Sequence, residues 1–244
     1  MNAEAYERCF ALLTARTVDP LLNLVSKSRA QRLLDVGCGT GVVTGAALAL
    51  GAEVTAVDAD LGMLEHLARR HPHADVRLAA LPELPFPDEA FDAVAGNFVI
   101  NHVEDVPAAL EELRRVLRPG GTLALSWWKS DEMHATGVIG EAMLAAGLPY
   151  ERPVRAFAEP RVLAAALKEA GFSGAGVDTM RWRHHVDLDE WWNGVIAAGG
   201  PRFGALASLS EADAARVRSA YDLLASPYAE EGFPVAAHLA HATR

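Results

Sequence analysis

The chain has 244 residues, 51% of them hydrophobic, a formal net charge of −10 and two cysteines. That length predicts one α/β domain with room for a subdomain, and an acidic chain with scattered Lys and Arg argues against nucleic-acid binding, which needs clustered cations. No apolar run reaches the roughly 18–20 residues of a membrane span, the start Met1-Asn2-Ala3-Glu4-Ala5-Tyr6-Glu7-Arg8 lacks a basic stretch leading into an apolar one, and Cys9 and Cys38 lack zinc or disulfide spacing, so a cytoplasmic protein with neither metal nor membrane partner is expected.

Residues 2–32 read as two helices, with Tyr6, Phe10 and Leu13, then Leu21, Leu22, Leu24 and Val25, at helical spacing around a break at Asp19-Pro20. The stretch Leu33-Leu34-Asp35-Val36-Gly37-Cys38-Gly39-Thr40-Gly41 then reads as strand, tight turn and helix start. Glycine at 37, 39 and 41 allows positive φ and leaves no Cβ in the way of a ligand. The helix from Val42 aims free N–H groups and the positive end of its dipole at the same spot. The dinucleotide fingerprint Gly-x-Gly-x-x-Gly fits neither register, because Val stands at 42 and Thr at 44, so a nicotinamide-dependent oxidoreductase is disfavoured.

The helix Val42–Leu50 stops at Gly51, and Glu53–Asp58 is a second buried strand. It ends in an acid about 20 residues after the glycine loop, where a βαβ unit returns to the ligand and a carboxylate accepts from ribose hydroxyls. Asp60 caps the helix Leu61–Arg70, Asp75–Leu78 is a short third strand, and Phe91–Asn97 is the fourth. A helix over Pro107–Leu117, a turn at Arg118-Pro119-Gly120-Gly121 and a strand Thr122–Trp127 come next. Beyond these, Val162–Ala170 reads as helix with Gly171 as its stop, Gly174–His185 as strand six, Asp189 to about Ser226 as helix, and 233–242 as the last strand.

The run LDVGCGTG closely resembles motif I of the class I S-adenosylmethionine (SAM)-dependent methyltransferases. The resemblance continues at that family's spacing through Leu84-Pro85-Phe86-Pro87-Asp88, through Gly96-Asn97-Phe98-Val99-Ile100-Asn101-His102-Val103, which is similar to motif IV, and through Leu117-Arg118-Pro119-Gly120-Gly121. It points to the small-molecule, ubiquinone/menaquinone methyltransferase-like branch. The fold it implies is a doubly wound, mostly parallel sheet of seven strands with an antiparallel last strand. It divides a single domain over 1–244 into N-terminal helices (1–30), a SAM-binding core (31–130) and a helical acceptor cap (187–228) inserted between strands six and seven.

By that resemblance Asp35, Gly37, Gly39, Gly41, Asp58, Ala59, Met63, Ala80, Leu81 and Asn97 bind the cofactor. Asp58 takes the ribose, Ala59 and Met63 pack on adenine, and Asn97 meets the methionine end. Relatives carry an acid for the adenine amino group where this chain has Ala80, so the backbone near Ala80 and Leu81 is left to serve adenine. Tyr6, Trp127, Trp128, Trp191, Trp192, Arg202, Phe203 and Tyr228 are the candidate acceptor pocket, and His102 and His134 the candidate bases. The implied reaction is methyl transfer from SAM, leaving S-adenosylhomocysteine, to an O, N or C atom of a small organic molecule. An aromatic-rich, acidic enclosure favours an aromatic or polycyclic acceptor over a phosphate, and the expected state is a monomer or homodimer. A catalytically silent SAM-binding protein is the other reading, because motif I and Asp58 specify a ligand and not turnover.

Overall fold

A computed structural model describes residues 1–25, 32–151, 159–200 and 203–244. These fall into two compact units. The larger, the sheet unit, holds residues 14–25, 32–128, 159–179 and 237–244, and the smaller, the helical unit, holds 1–13, 129–151, 180–200 and 203–236.

In the sheet unit, β1 (Arg32–Val36), β2 (Glu53–Asp58), β3 (Asp75–Leu78), β4 (Phe91–Asn97) and β5 (Leu117–Trp128) run parallel, with β7 (Phe233–Thr243) antiparallel to β5. With β6 (Ser173–His184) the order is β3-β2-β1-β4-β5-β7-β6. The doubly wound, mostly parallel seven-stranded sheet of the sequence reading is therefore present. Central strands β1 and β4 are covered on both faces, which is why they read as apolar runs without alternation.

The helices cover those faces through their apolar stripes. Leu64 and Leu67 of α5 (Leu61–Arg70) cluster with Ala56 and Cys38, while Leu110, Leu113 and Val116 of α6 (Val106–Val116) and Leu163 and Leu167 of α8 (Pro160–Glu169) join Leu34, Val94 and Leu125. The starts follow the sequence signals. Asp60 Oδ1 accepts from Gly62 N and Met63 N at 2.9 and 3.3 Å, and Asp105 Oδ1 accepts from Ala108 N at 3.0 Å.

Two boundaries of the sheet unit differ from expectation. The break placed at Asp19-Pro20 is absent, because a helix over Val18–Val25 carries Pro20 in its first turn, where its missing N–H costs nothing. β5 begins at Leu117, not Thr122, and the Arg118–Gly121 turn is an excursion inside it, since Phe91 faces Leu117 while the next paired residue, Ala93, faces Thr122. Asp92 anchors this corner. Its carboxylate accepts from Arg32 N (2.9 Å), Arg32 Nη2 (3.1 Å) and Arg118 Nε (2.7 Å).

In the helical unit, α1 (Ala3–Arg8) contacts α9 (Leu188–Ala198), and α7 (His134–Ala145) contacts α10 (Glu211–Ala225). Helix α7 is absent from the sequence reading for a physical reason. It is apolar almost all round, with Ala135, Val138, Ile139 and Ala142 all buried, so it shows no stripe of helical period. The single helical run expected from Asp189 to Ser226 is two helices, because Gly199 and Gly200 take φ of +69° and +91° and end α9. Ser210 starts α10 by accepting from Asp213 N at 3.1 Å. Helices α9, α10 and α11 (Tyr228–Glu231) lie between β6 and β7 in sequence, as expected of the insertion. No helix among the described residues is long and apolar enough to cross a membrane, and no cluster of His, Cys, Asp or Glu among them could hold a metal ion.

Candidate functional site

The glycine loop sits between β1 and α4 (Val42–Ala49), and Gly37, Gly39 and Gly41 take φ of +67°, +53° and +92°. All three are left-handed positions that favour glycine. Two also lack room for a side chain, because a Cβ on Gly37 would stand 2.6 Å from Val99 Cβ and one on Gly41 2.8 Å from Leu67 Cγ. Backbone bonds to β2 hold the loop, with Gly37 N and Cys38 N both donating to the Val57 carbonyl at 2.8 and 3.0 Å. Cys38 fills the loop's underside. Burial pushes its thiol well above the usual range, so it is a packing residue and not a nucleophile.

Asp58 closes the loop from the end of β2. One carboxylate oxygen accepts from Gly39 N at 2.8 Å and the other from Asp60 N at 2.9 Å. The carboxylate is half-buried, and since each oxygen has more than one acceptor direction, capacity remains for donors from a ligand. Helix-capping at this turn belongs to Asp60, not to Asp58.

Asp35 lies beneath the loop, fully buried. The Thr44 hydroxyl of α4 donates to its Oδ2 at 2.6 Å, and its Oδ1 has no hydrogen-bond partner among the described residues. Burial raises its pKa to about 7, against the Thr44 hydrogen bonds that lower it and with a small upward push from the Asp58 charge. Thr40, in the loop itself, is also buried, with Oγ1 unpartnered among the described residues. The cap of α4 is Gly41, which supplies no side-chain acceptor for the first-turn N–H groups. Buried polar atoms without partners, an uncapped helix start and a carboxylate with spare acceptor directions fit a polar ligand with both cationic and anionic groups.

The other cofactor candidates surround this loop unevenly. Ala59 is exposed after β2, and Met63 is fully buried in α5. Ala80 and Leu81 form a turn in which Glu83 N donates to the Ala80 carbonyl at 3.0 Å. Helix α6 pins the segment that follows, as Glu112 Oε1 accepts from Leu84 N at 2.7 Å and Arg115 donates to the Leu84 and Phe86 carbonyls. At the tip of β4 the Asn97 side chain is heavily engaged. Its Oδ1 lies 2.7 Å from Thr17 Oγ1 and 2.6 Å from Ser126 Oγ, and its Nδ2 donates to the Thr14 carbonyl at 3.2 Å. Thr17, Ser126, Thr40 and Thr44 were not singled out in the sequence. Ser126 carried a usable signal, as the polar residue inside Leu123-Ala124-Leu125-Ser126-Trp127 on a covered strand.

The acceptor candidates divide between the units. In the sheet unit, Trp127 points into the core with Leu34, Val94 and Leu125, half-buried Trp128 stacks on Phe98, and His102 is exposed in the turn after β4. In the helical unit, Trp191 is fully buried, its Nε1 donating to the Ala135 carbonyl at 2.7 Å and its ring meeting Phe10 edge-on at 5.6 Å, while Tyr6 lies 5.6 Å from Phe10. Trp192 packs on Tyr221 at 4.7 Å, and Phe203 is buried. Half-buried Tyr228 sits 4.8 Å from Phe233, with its hydroxyl 3.4 Å from His134 Nδ1. Arg202 lies outside the described residues.

Comparisons with known proteins agree with this geometry. A family model described as a methyltransferase domain matches residues 34–125. The malonyl-(acyl-carrier protein) O-methyltransferase of Halorhodospira halophila is 32% identical over 205 residues, covering 71% of this chain and 69% of that protein. The demethylmenaquinone methyltransferase of Renibacterium salmoninarum is 38% identical over 106 residues, 43% of this chain and 45% of that one. The matches span about half the length of several of these curated relatives (45–52%). In three dimensions, a SAM-dependent methyltransferase from Archaeoglobus fulgidus superposes with a TM-score of 0.60 at 15% identity, covering 96% of this chain and 94% of that one. The chain thus has the class I methyltransferase fold and belongs to the SAM-dependent methyltransferase family, whose cofactor is SAM.

Proposed function

We propose that this protein transfers a methyl group from SAM to a small organic acceptor, with aromatic or polycyclic molecules first in rank. The observation that carries the reading is the Asp58–Gly39 closure of a loop whose three glycines are all left-handed. Asp58 receives the ribose hydroxyls, the start of α4 with Thr40 receives the carboxylate, and the backbone at Ala80 and Leu81 borders adenine beside Ala59, with Met63 buried in α5 behind it. Asp35 supports the loop from below through Thr44.

Bound SAM supplies a sulfonium methyl that is already a good electrophile, so the protein's task is alignment and exclusion of water. The tip of β4 at Asn97 borders the methionine end. An amine acceptor needs only its neutral form, whereas a hydroxyl or acidic carbon needs a proton acceptor, for which His102 and His134 are the candidates. The substrates that the relatives are named for, malonyl-(acyl-carrier protein) in one case and demethylmenaquinone in the other, bracket the acceptor as small or carrier-linked and organic. A net charge of −10 favours neutral or cationic acceptors over phosphate-rich ones, and free Cys9 and Cys38 suit a reducing, cytoplasmic setting.

The test is incubation with methyl-tritiated SAM and a library of phenols, naphthols, amines and malonyl thioesters. The expected result is label in an aromatic product with one S-adenosylhomocysteine formed per methyl transferred. S-adenosylhomocysteine formation no faster than spontaneous decay for every acceptor would refute the reading.

A further inference from the structure

Phe98 is one of two non-glycine residues with positive φ among the described residues, at +62°, and it directly follows β4. A bulky residue in that region is an outlier that persists only where its surroundings impose it. The surroundings here are specific. Phe98 N donates to Ser126 Oγ at 3.0 Å and lies 3.2 Å from the Ser126 carbonyl. The Ser126 hydroxyl in turn donates to Asn97 Oδ1 at 2.6 Å, across the register pair Asn97–Ser126 of β4 and β5. Ser126 is fully buried, so water cannot replace either bond.

The consequence is an aromatic stack. The Phe98 and Trp128 ring centroids are 3.7 Å apart at an interplanar angle of 18°. Phe98 is 5% exposed while Trp128 is half-buried, so Trp128 is the member with surface to offer. The same turn continues into Val99, whose side chain occupies the space a Cβ on Gly37 would take. A strained turn therefore touches the glycine loop on one side and orients an indole on the other.

We infer that Phe98, locked by Ser126, is a positioning residue that holds the Trp128 indole flat as a platform on which a planar acceptor stacks beside the donor site. This rests on the methyl-transfer reading for its purpose but not for its binding chemistry. Stacking on a fixed indole selects flat π-systems over saturated rings of the same size, and a fixed platform spends less entropy than a mobile one.

The experiment uses the full chain saturated with S-adenosylhomocysteine, titrated calorimetrically with 2-naphthol and with decahydro-2-naphthol, its saturated counterpart. The wild type is expected to prefer the flat ring by about tenfold. Ser126→Ala and Trp128→Leu should each erase most of that preference while S-adenosylhomocysteine affinity stays within about twofold, and Ser126→Thr, which keeps the hydroxyl, should restore it. Absence of 2-naphthol binding or of a preference in the wild type overturns the inference, as does an unchanged preference in both variants. Parallel loss of naphthol and S-adenosylhomocysteine binding in Trp128→Leu also overturns it, because Trp128 is then a structural residue. A preference that depends on Trp128 and Ser126 in a protein that methylates no acceptor of the library leaves the platform standing and refutes the methyl-transfer reading instead.

Discussion

The carboxylate of Asp58 and the backbone N–H of Gly39 meet at 2.8 Å, so the strand-end acid is a structural part of the glycine loop as well as a ligand residue. Read from sequence alone, Asp58→Ala is expected to weaken SAM binding with little loss of stability. The structure changes the second half of that expectation, because Gly39 N and Asp60 N both lose their acceptor. Asp58→Ala should lower stability by about 1–3 kcal/mol in urea titrations and S-adenosylhomocysteine affinity by about 1.5–3 kcal/mol by calorimetry. Unchanged ligand affinity would remove Asp58 from the ribose site.

Gly37→Ala combines two costs. The added Cβ forces an alanine into φ of +67° and meets Val99 Cβ at 2.6 Å. Strain of about 1 kcal/mol and overpacking of about 1–3 kcal/mol add up to a loss measurable by urea titration. Val99→Gly in the same chain, which removes the clashing Cβ, should recover the overpacking part and not the strain, a coupling that a double-mutant cycle reads directly.

Asp35 makes stability fall as pH rises. Its folded-state pKa, raised to about 7 by burial, lies above its unfolded value near 4, so between those limits the folded protein binds more protons than the unfolded chain. The expected outcome is a Tm that declines from pH 4.5 to 7.5 by more in the wild type than in Asp35→Asn, which has no proton to lose. Parallel Tm profiles would show that Asp35 is ionised in the fold at all these pH values.

Asp92 has the opposite sign. Burial pushes its carboxyl up, but hydrogen bonds from the Arg32 side chain and backbone and from Arg118 outweigh it and hold the group well below the usual range. Its stabilisation is complete above the unfolded pKa near 4 and is lost as pH falls below that value. Asp92→Asn should therefore lower Tm clearly at pH 7 and progressively less toward pH 2. A deficit equally large at both ends would mean that the anchor does not depend on charge.

Trp191 and Trp128, grouped together as pocket walls in the sequence reading, should separate. Trp191 is fully buried and bonded to the Ala135 carbonyl, so Trp191→Ala should cost about 3–5 kcal/mol of stability by urea titration. Trp128→Ala exposes part of Phe98 and should cost less, with its main effect on acceptor KM.

The strands β1 and β4 and the glycine loop were legible because their signals are local: apolar runs, glycines at alternating positions and the capping acid Asp60, whereas the doubly wound sheet followed from the resemblance. Helix α7 was not legible, since a helix buried on all sides has no period to read. The networks at the strand tips were not legible either. Asn97 could be picked out as a polar strand-end residue, yet its partners Thr14, Thr17 and Ser126 lie roughly 30 to 80 positions away in sequence, and only the parallel register of β4 and β5 sets Asn97 beside Ser126. The conformation of Phe98 was hidden for the same reason, because nothing in Asn97-Phe98-Val99 marks a left-handed residue when the serine that fixes it stands on another strand.

The most direct measurement of the central claim is a crystal structure of the protein with S-adenosylhomocysteine. The ribose hydroxyls are expected on the Asp58 carboxylate, the ligand carboxylate at the start of α4 near Thr40, and adenine along the backbone of Ala80 and Leu81. Ligand density elsewhere, or a loop at Gly37–Gly41 that stays empty at saturating concentration, would contradict that claim.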